Sequence, residues 1–329
     1  MTEPLIAVVI PSYKTSRHIL DVIRGIGPEV GLVVVVDDQC PEGSGKLVEE
    51  QCRDPRVRVI YNARNLGVGG AVMAGYEQAI NSGAMVIVKM DGDGQMDPTI
   101  LPGLIAPILE GQADYTKGNR FFDLRGVVAM PLIRLFGNAV LSFLAKFSTG
   151  YWDIFDPTNG YTAIHAEIAR RLPVNKISQR YFFETDILFR LNSFRAVVMD
   201  VPMDAKYGEE YSSLKISRVI GEFLFKHLRN LTKRIFYNYY LRDFSLGSIL
   251  LPLGIASVVF GVTYGGFHWY WASKAGLTTP LGTVMVATLP IIMGSQFLLT
   301  FLGQDIASVP RLPLHRRLVA GKSRTKDEP

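Results

Sequence analysis

The chain has 329 residues, of which 48% are hydrophobic and 20% are charged, and its formal net charge is +5. This composition is too apolar for a disordered protein, and its mean hydropathy of +0.18 is high for a fully soluble enzyme. With only two cysteines, Cys40 and Cys52, the chain has no disulfide framework, and no cysteine–histidine cluster has the spacing of a zinc site.

In the first 95 residues, apolar runs alternate with helical patterns. The runs predict strands over 5–10, 32–36, 56–61 and 85–90, and the segments between them predict helices over 16–26, 44–51 and 68–81. This alternation predicts a parallel sheet, in which ligands bind beyond the carboxyl ends of the strands. Polar residues follow three of those ends, at 11–13, 37–38 and 91–95, where a nucleotide would bind.

The second half of the chain changes from a mixed pattern to an apolar one. Helices are predicted over 131–146 and 184–191, and a strand over 197–201. Residues 215–242 then contain seven Lys or Arg and one acid, Glu222, at helical spacing, which predicts amphipathic helices on the inner leaflet.

Two uncharged runs, 244–273 and 275–304, are each long enough to span a bilayer core of about 30 Å. The loop between them has one basic residue, Lys274, whereas the flank before them has seven and the tail from Arg311 has six. The positive-inside rule therefore predicts a cytoplasmic N-terminal domain and tail in a multi-pass protein of the cell inner membrane. The N-terminus shows no basic signal-peptide region, in agreement with this expectation. Because the basic residues lie beside the apolar runs, the positive charge favours a membrane surface and not a nucleic acid.

The sequence Asp91-Gly-Asp93-Gly-Gln95 carries the strongest chemical signal. Two carboxylates two residues apart, directly after a strand, can bind Mg²⁺ or Mn²⁺ together with a substrate diphosphate. The alternative is a structural turn. A calcium-binding EF-hand loop is excluded because Met96 and Pro102 stand where it needs glycine and glutamate. The glycines at 43–45 and 67–70 complete neither a P-loop nor a dinucleotide fingerprint.

Two further carboxylates, Asp37 and Asp38, end the second predicted strand. A carboxylate there can accept hydrogen bonds from the base or ribose of a nucleotide. The alternative for each of them is a capping role in the following turn.

The motifs, in chain order, are P-S-Y at 11–13, V-V-D-D at 35–38, R-N-x-G-x-G-x-A at 64–71 and D-G-D-G-Q-x-D-P at 91–98. This order of motifs resembles that of family-2 glycosyltransferases. The motifs K-G-N-R-F at 117–121, R-x-x-x-N at 134–138 and D-P-T-N-G-Y at 156–161 are similar to those of dolichol-phosphate mannose synthases and bacterial polyprenyl-phosphate glycosyltransferases. The resemblance covers residues 5–310. It implies an α/β GT-A fold with a mostly parallel, Rossmann-like sheet, followed by amphipathic juxtamembrane helices and two transmembrane helices.

The resemblance also implies roles for individual residues. Donor-binding residues would be Pro11, Tyr13, Asp37, Asp91 and Asp93, and the metal ligands would be Asp91, Asp93 and Gln95. Residues at the acceptor phosphate would be Arg120, Arg134, Asn138 and Lys215, and those with catalytic weight would be Asp93, Arg120 and Arg134. The chain departs from the family at Lys14-Thr15, where Asn-Glu is usual, at Asn119, where serine is usual, and over 207–215, where R-x-x-G-x-S-K is usual.

The implied reaction is an inverting transfer of a sugar from a UDP- or GDP-sugar to a polyprenyl phosphate, with Mg²⁺ or Mn²⁺ as cofactor. A phosphate monoester is already anionic near neutral pH, because its second pKa is about 6, and it needs no general base. Arginine suits such an acceptor because its planar fork binds phosphate oxygens bidentately.

Two other functions stay open. The first is transfer to a sugar or lipid hydroxyl with Glu184 or Asp186 as base, and the second is a non-catalytic membrane scaffold with the same fold. The sequence disfavours a processive synthase, because its Q-x-x-R-W motif is absent and two spans are few for a polymer channel. The predicted domains are a GT-A domain at 1–212, juxtamembrane helices at 213–243, a transmembrane hairpin at 244–309 and a basic tail at 310–329. The sequence leaves open the donor sugar and whether the chain forms a homo-oligomer.

Overall fold

The computed structural model describes residues 4–122, 132–203 and 216–324. The chain divides into two compact units. Unit 1 comprises Met1–Leu231 together with Pro310–Pro329, and unit 2 comprises Thr232–Val309. The C-terminal tail thus belongs to the same unit as the N-terminal domain.

Unit 1 is built on a seven-stranded sheet with the order β3-β2-β1-β4-β6-β5-β7. All neighbouring strands are parallel except that β6 runs antiparallel to both β4 and β5. The strands are β1 (Ile6–Ser12), β2 (Leu32–Asp37), β3 (Val57–Tyr61), β4 (Val86–Lys89), β5 (Tyr115–Asn119), β6 (Thr162–His165) and β7 (Val198–Pro202). The predicted α/β architecture with a mostly parallel sheet is therefore confirmed.

Helices connect the strands of unit 1. They are α1 (Ile19–Gly25), α2 (Ser44–Gln51), α3 (Val68–Asn81), α4 (Leu101–Leu109), α5 (Leu132–Thr149), α6 (Ala166–Ala169) and α7 (Phe183–Ser193). The bounds of α2 and α3 are those predicted from the sequence, whereas β5, β6 and α4 were not predicted. Helix α3 lies against the sheet at Gly75, where a Cβ atom would be 2.2 Å from Cγ1 of Val9.

The register of the central strands brings their carboxyl ends together. Ser12 at the end of β1 pairs with Asp37 at the end of β2, and Val9 pairs with Lys89 at the end of β4. The core beneath is rich in β-branched residues, and the side chains of Val33 and Val88 are fully buried. The loops that follow β1, β2 and β4 consequently meet at one edge of the sheet.

Helix α8 (Ile216–Phe236) continues into a π-helical turn, Tyr237–Arg242, and leads to the long helices α9 (Leu246–Lys274) and α10 (Leu281–Ala307). Both long helices are long and apolar enough to cross a membrane. A Cβ atom at Gly254 would be 3.1 Å from the carbonyl oxygen of Gly294, so glycines allow the two helices to touch.

A buried ion pair joins the amphipathic segment to the helical hairpin within unit 2. Arg234 and Asp305 lie 2.7 Å apart, and each side chain is 2% exposed. The hydroxyl of Tyr239 donates a further hydrogen bond of 2.8 Å to Asp305.

The tail forms a helix, α11 (Leu314–Arg324), whose first turn binds to the N-terminal part of unit 1. The carboxylate of Asp114 accepts hydrogen bonds from the backbone amides of Leu314 and His315, each at 2.8 Å. The ring of His165 stacks on that of His315 with centroids 4.4 Å apart. The basic tail predicted at 310–329 is therefore, over its described part, a docked segment.

Candidate active site

A cavity of about 870 Å³ opens at the edge of the sheet where the carboxyl ends of β1, β2 and β4 meet. It brings together residues that are far apart in the sequence. Among the predicted site residues it is lined by Pro11, Tyr13, Asp91, Asp93, Gln95 and Arg120, and the proposed alternative base Glu184 also lines it. Six of the predicted positions therefore share one cavity.

The two carboxylates after β2 have different places. Asp37 is 3% exposed and accepts hydrogen bonds from the backbone amides of Cys40 and Gly45, both at 2.7 Å. Of the described residues at this strand end, Asp38 and not Asp37 lines the cavity. Asp38 accepts hydrogen bonds from the amides of Leu66 at 2.8 Å and Gly67 at 2.7 Å. Both carboxylates thus hold loops that follow β2 and β3 through backbone amides.

The segment Asp91–Gln95 forms a tight turn directly after β4. The backbone amide of Gln95 donates to Oδ1 of Asp93 at 3.0 Å, and Gly94 has a φ of +77°, which favours glycine. Within the described ranges, no group of three His, Cys, Asp or Glu residues could hold a metal ion. The donor set is nevertheless oxygen-only, and a hard cation commonly takes one or two carboxylates and completes its shell with substrate phosphates and water. Asp91, Asp93 and Gln95 fit such an ion.

A buried lysine lies beneath this turn. The ammonium of Lys89 is 2.9 Å from Oδ1 of Asp91 and 3.5 Å from Oε1 of Glu184, and its side chain is 1% exposed. Burial lowers the pKa of Lys89, but the charges of Asp91 and Glu184 outweigh that effect and raise the pKa above its usual value. Lys89 is therefore a permanent cation next to a predicted metal ligand.

Arg120 is fixed by a buried carboxylate. Its guanidinium binds Asp156 in a two-pronged pair, with 2.7 Å from Nε to Oδ2 and 3.1 Å from Nη2 to Oδ1. The side chain of Asp156 is 0% exposed, whereas that of Arg120 is 33% exposed and borders the cavity. This geometry holds the guanidinium at the cavity wall, where it can meet an anion.

Two titratable groups lie behind Arg120. Lys117 is fully buried and donates a hydrogen bond to the carbonyl oxygen of Asn159, and burial lowers its pKa to about 8. Burial raises the pKa of Asp200 to about 6, although Asp200 accepts a 2.8 Å hydrogen bond from the amide of Phe155. These groups pack the loop that carries Asp156.

Helices also contribute to the lining of the cavity. Leu141 of α5 and Phe223 and His227 of α8 line it. His227 is 2.8 Å from the hydroxyl of Ser148, and burial lowers the pKa of its imidazole to about 4. The imidazole is consequently neutral at physiological pH.

The remaining predicted residues have other positions. Arg134 and Asn138 lie on α5, but their side chains are not among those described, and Lys215 lies outside the described residues. Asp186 is fully buried, and its two carboxylate oxygens accept hydrogen bonds from the amide of Ser178 and the side chain of Asn230. Of the two alternative bases, Glu184 reaches the cavity.

Sequence reasoning missed Lys89, the pairing of Asp156 with Arg120, and the place of His227 in the cavity wall. A signal existed for Lys89, because a lysine inside an apolar strand, two residues before Asp91, points to the same face as that aspartate. No comparable signal existed for the partner of Arg120, because 36 residues separate the two side chains.

The chain is similar to known proteins over its catalytic part. The family model described as Glycosyl transferase family 2 matches residues 7–172. A polyprenol monophosphomannose synthase of Mycolicibacterium smegmatis is 30% identical over 225 residues, which are 67% of this chain and 84% of the relative. An undecaprenyl-phosphate mannosyltransferase of Micrococcus luteus is 30% identical over 219 residues, or 65% of this chain and 88% of the relative.

Another relative, of lower identity, is named for a different sugar. It is the UDP-N-acetylglucosamine–dolichyl-phosphate N-acetylglucosaminyltransferase of Methanococcus voltae, 26% identical over 69% of this chain and 96% of its own length. Among solved structures, glucosyl-3-phosphoglycerate synthase of Mycobacterium tuberculosis in complex with Mn²⁺, UDP and phosphoglyceric acid matches with a TM-score of 0.51. The two chains are 18% identical, and the match covers 70% of this chain and 78% of the synthase. This likeness concerns the fold alone.

Proposed function

Because this chain belongs to glycosyl transferase family 2 and is therefore a glycosyltransferase, we propose that it moves a sugar from a UDP- or GDP-sugar to a polyprenyl phosphate with inversion. The observation that carries this proposal is that Asp91, Asp93 and Arg120 line one cavity, with the guanidinium of Arg120 held by Asp156. Relatives at 30% identity are named for transfer of mannose to polyprenyl phosphates, which supports the acceptor class.

Binding of the donor is assigned to the turn after β4. Asp91, Asp93 and Gln95 would hold Mg²⁺ or Mn²⁺, and the cation would neutralise the charge that develops on the leaving diphosphate. The Mn²⁺ and UDP bound by the structural neighbour of the same fold support this assignment. Pro11, Tyr13 and Asp38 line the adjoining part of the cavity, where the nucleoside would lie, and Asp37 would act through the loop that it holds.

Binding of the acceptor is assigned to Arg120, with Arg134, Asn138 and Lys215 as further proposed contacts. A phosphate oxygen attacks the anomeric carbon from the face opposite the diphosphate, and the bond from that carbon to the diphosphate oxygen breaks. The nucleoside diphosphate leaves with the electron pair. Since the acceptor is already an anion, the residues have to desolvate and orient it, and no proton has to be removed.

Transfer to a hydroxyl is the second candidate, since Glu184 reaches the cavity. Its carboxylate lies 3.5 Å from the buried ammonium of Lys89, so it already serves as the partner of a buried cation. Asp186 is buried with both oxygens bonded to the chain itself. These contacts favour the phosphate acceptor.

We further propose that the catalytic unit and the tail lie on the cytoplasmic side of the inner membrane. The chain up to Leu231 and the chain from Pro310 both belong to unit 1, as expected for a hairpin that crosses the bilayer twice and returns to the same side. The excess of basic residues flanking the hairpin supports the cytoplasmic side.

The experiment uses purified full-length protein in detergent with undecaprenyl phosphate, Mn²⁺ and a panel of radiolabelled UDP- and GDP-sugars. We expect a labelled, acid-labile lipid with one donor, and its loss by a factor of about 100 or more in Asp93→Ala. Asp97→Ala is the matched control, because Asp97 is four residues away and caps the turn at Thr99 with a 2.9 Å hydrogen bond. A product formed equally by Asp93→Ala would refute the proposed site, and a labelled product only with hydroxyl acceptors would favour the second candidate.

A further inference from the structure

The buried ammonium of Lys89, beneath the proposed metal site, has two anionic partners. Lys89 emerges from β4, the central strand that leads into the turn at 91–95, and Glu184 lies in the first turn of α7. The ammonium is 2.9 Å from Asp91 and 3.5 Å from Glu184. It is thus bonded closely to Asp91 and stands within a short movement of Glu184.

The surroundings restrict where this ammonium can go. A Cβ atom at Gly160 would be 2.4 Å from Nζ of Lys89 and 3.0 Å from Oδ2 of Asp91, so the backbone of residue 160 closes one side. The side chain of Lys89 is 1% exposed, whereas those of Asp91 and Glu184 are 30% and 15% exposed. Water therefore reaches the carboxylates more readily than it reaches the ammonium.

A divalent cation that binds Asp91 must compete with Lys89 for the same carboxylate. Two cations on one carboxylate repel each other, and a buried ammonium that loses its partner is left uncompensated. Glu184 can accept the ammonium once Asp91 is engaged, because it is already within 3.5 Å. This exchange keeps the buried charge paired in both states.

We propose that Lys89 and Glu184 form a counter-ion switch: Lys89 neutralises Asp91 before the divalent cation and nucleotide bind, and transfers its ion pair to Glu184 afterwards. Glu184 is then a positioning residue for the metal site and not a general base. This inference rests on the proposed function only in that the turn at 91–95 binds a divalent cation together with a nucleoside diphosphate.

Binding of Mn²⁺ measures the switch without any acceptor or catalysis. Full-length protein in detergent is titrated with Mn²⁺ in the presence of UDP or GDP, and free Mn²⁺ is followed by electron paramagnetic resonance against a protein-free nucleotide titration. Glu184→Gln should weaken Mn²⁺ binding by about tenfold or more, the change expected for losing a hydrogen bond to a charged group. Glu110→Gln is the matched control, because Glu110 is exposed and is paired with Gln112.

The double variant separates the switch from a direct effect of charge. Without Lys89, Glu184 has no ammonium to receive, so Glu184→Gln in a Lys89→Met background should change Mn²⁺ affinity by no more than about threefold. Equal weakening in both backgrounds would show that Glu184 attracts the cation by its own charge and would overturn the switch. Thermal unfolding verifies folding, and Lys89→Gln repeats the comparison if Lys89→Met does not fold.

Turnover supplies a second readout. At saturating Mn²⁺ the kcat of Glu184→Gln should stay within about threefold of the wild-type value, whereas removal of a general base costs about a hundredfold or more. A large loss of kcat at saturating Mn²⁺ would overturn the positioning role. If the wild-type protein did not bind Mn²⁺ with either nucleotide, both the proposed donor site and the switch would be overturned. If the wild-type protein bound Mn²⁺ and Glu184→Gln had no effect on that binding, the switch alone would be overturned.

Discussion

The pair between Arg120 and Asp156 allows a quantitative prediction. Asp156→Asn keeps the shape of the side chain but removes the charge that holds the guanidinium through hydrogen bonds of 2.7 and 3.1 Å. Hydrogen bonds to charged groups contribute about 1.5–3 kcal/mol each, but Arg120 is one-third exposed and water compensates part of the loss. We therefore expect a net cost of about 2 kcal/mol in the orientation of Arg120, which corresponds to a rise in the KM for the lipid phosphate of about thirtyfold.

The assay is a titration of undecaprenyl phosphate at saturating donor, accompanied by thermal unfolding. A loss of about 2 kcal/mol should also lower the Tm by about 4–8 °C in a domain of this size. Asp54→Asn is the matched control, because it breaks a similar aspartate–arginine pair, Asp54 with Arg56 at 2.7 Å, away from the cavity. If Asp156→Asn lowered the Tm but left the KM for the lipid phosphate at that of the control, the assignment of Arg120 to the acceptor would be refuted.

Three further predictions follow from packing and charge. Gly160→Ala should weaken Mn²⁺-dependent donor binding by about tenfold, because its Cβ would be 2.4 Å from Nζ of Lys89. Unchanged binding in a nucleotide titration would contradict the close approach of residue 160 to Lys89. His227 has a folded-state pKa of about 4, so as the pH falls below about 6.5 the unfolded chain takes up a proton that the folded chain does not. At pH 4 this proton uptake lowers the free energy of unfolding by on the order of 3 kcal/mol. Denaturant unfolding at pH 7 and pH 4.5 should therefore show a smaller loss of stability for His227→Asn than for the wild-type protein. Arg234→Ala should destabilise unit 2 by about 3–5 kcal/mol, since it leaves Asp305 buried without its cation. In detergent unfolding, the double variant Arg234→Ala with Asp305→Asn should recover part of the lost stability. No recovery would contradict the pairing.

Local pattern was enough to predict much of the fold. The strands β1, β2 and β4 could be read from short β-branched runs, because a strand buried on both faces needs side chains that are apolar throughout. Strand β3 could be read from its Val and Ile residues, although Arg58 and Tyr61 are exposed. The helices α2 and α3 and the two long apolar helices were predicted for the same kind of reason, since helical periodicity and the absence of charge over about 20 residues are local properties. Strands β5 and β6 were missed because their polar residues, such as Lys117 and Thr162, are satisfied by contacts from distant parts of the chain.

The place of the cavity could also be predicted, because loops that follow parallel strands meet at one edge of a sheet. The motif at 91–95 and the arginine of K-G-N-R-F thus identify the cavity and the family. Asp37 and Asp38 illustrate the limit: they are adjacent in sequence and chemically identical, and the loop that folds back over each of them determines which one borders the cavity.

What the sequence alone determined about this protein is the class of fold, the two segments that are long and apolar enough to cross a membrane, and the residue types that line the candidate site. Only the tertiary structure decided the partners of those residues: Lys89 with Asp91 and Glu184, Arg120 with Asp156, and Asp114 with the tail helix. The physical reason is that propensity and periodicity act between neighbours along the chain, whereas the strength of an ion pair depends on distance and burial. Those two quantities exist only after segments separated by tens or hundreds of residues have packed together.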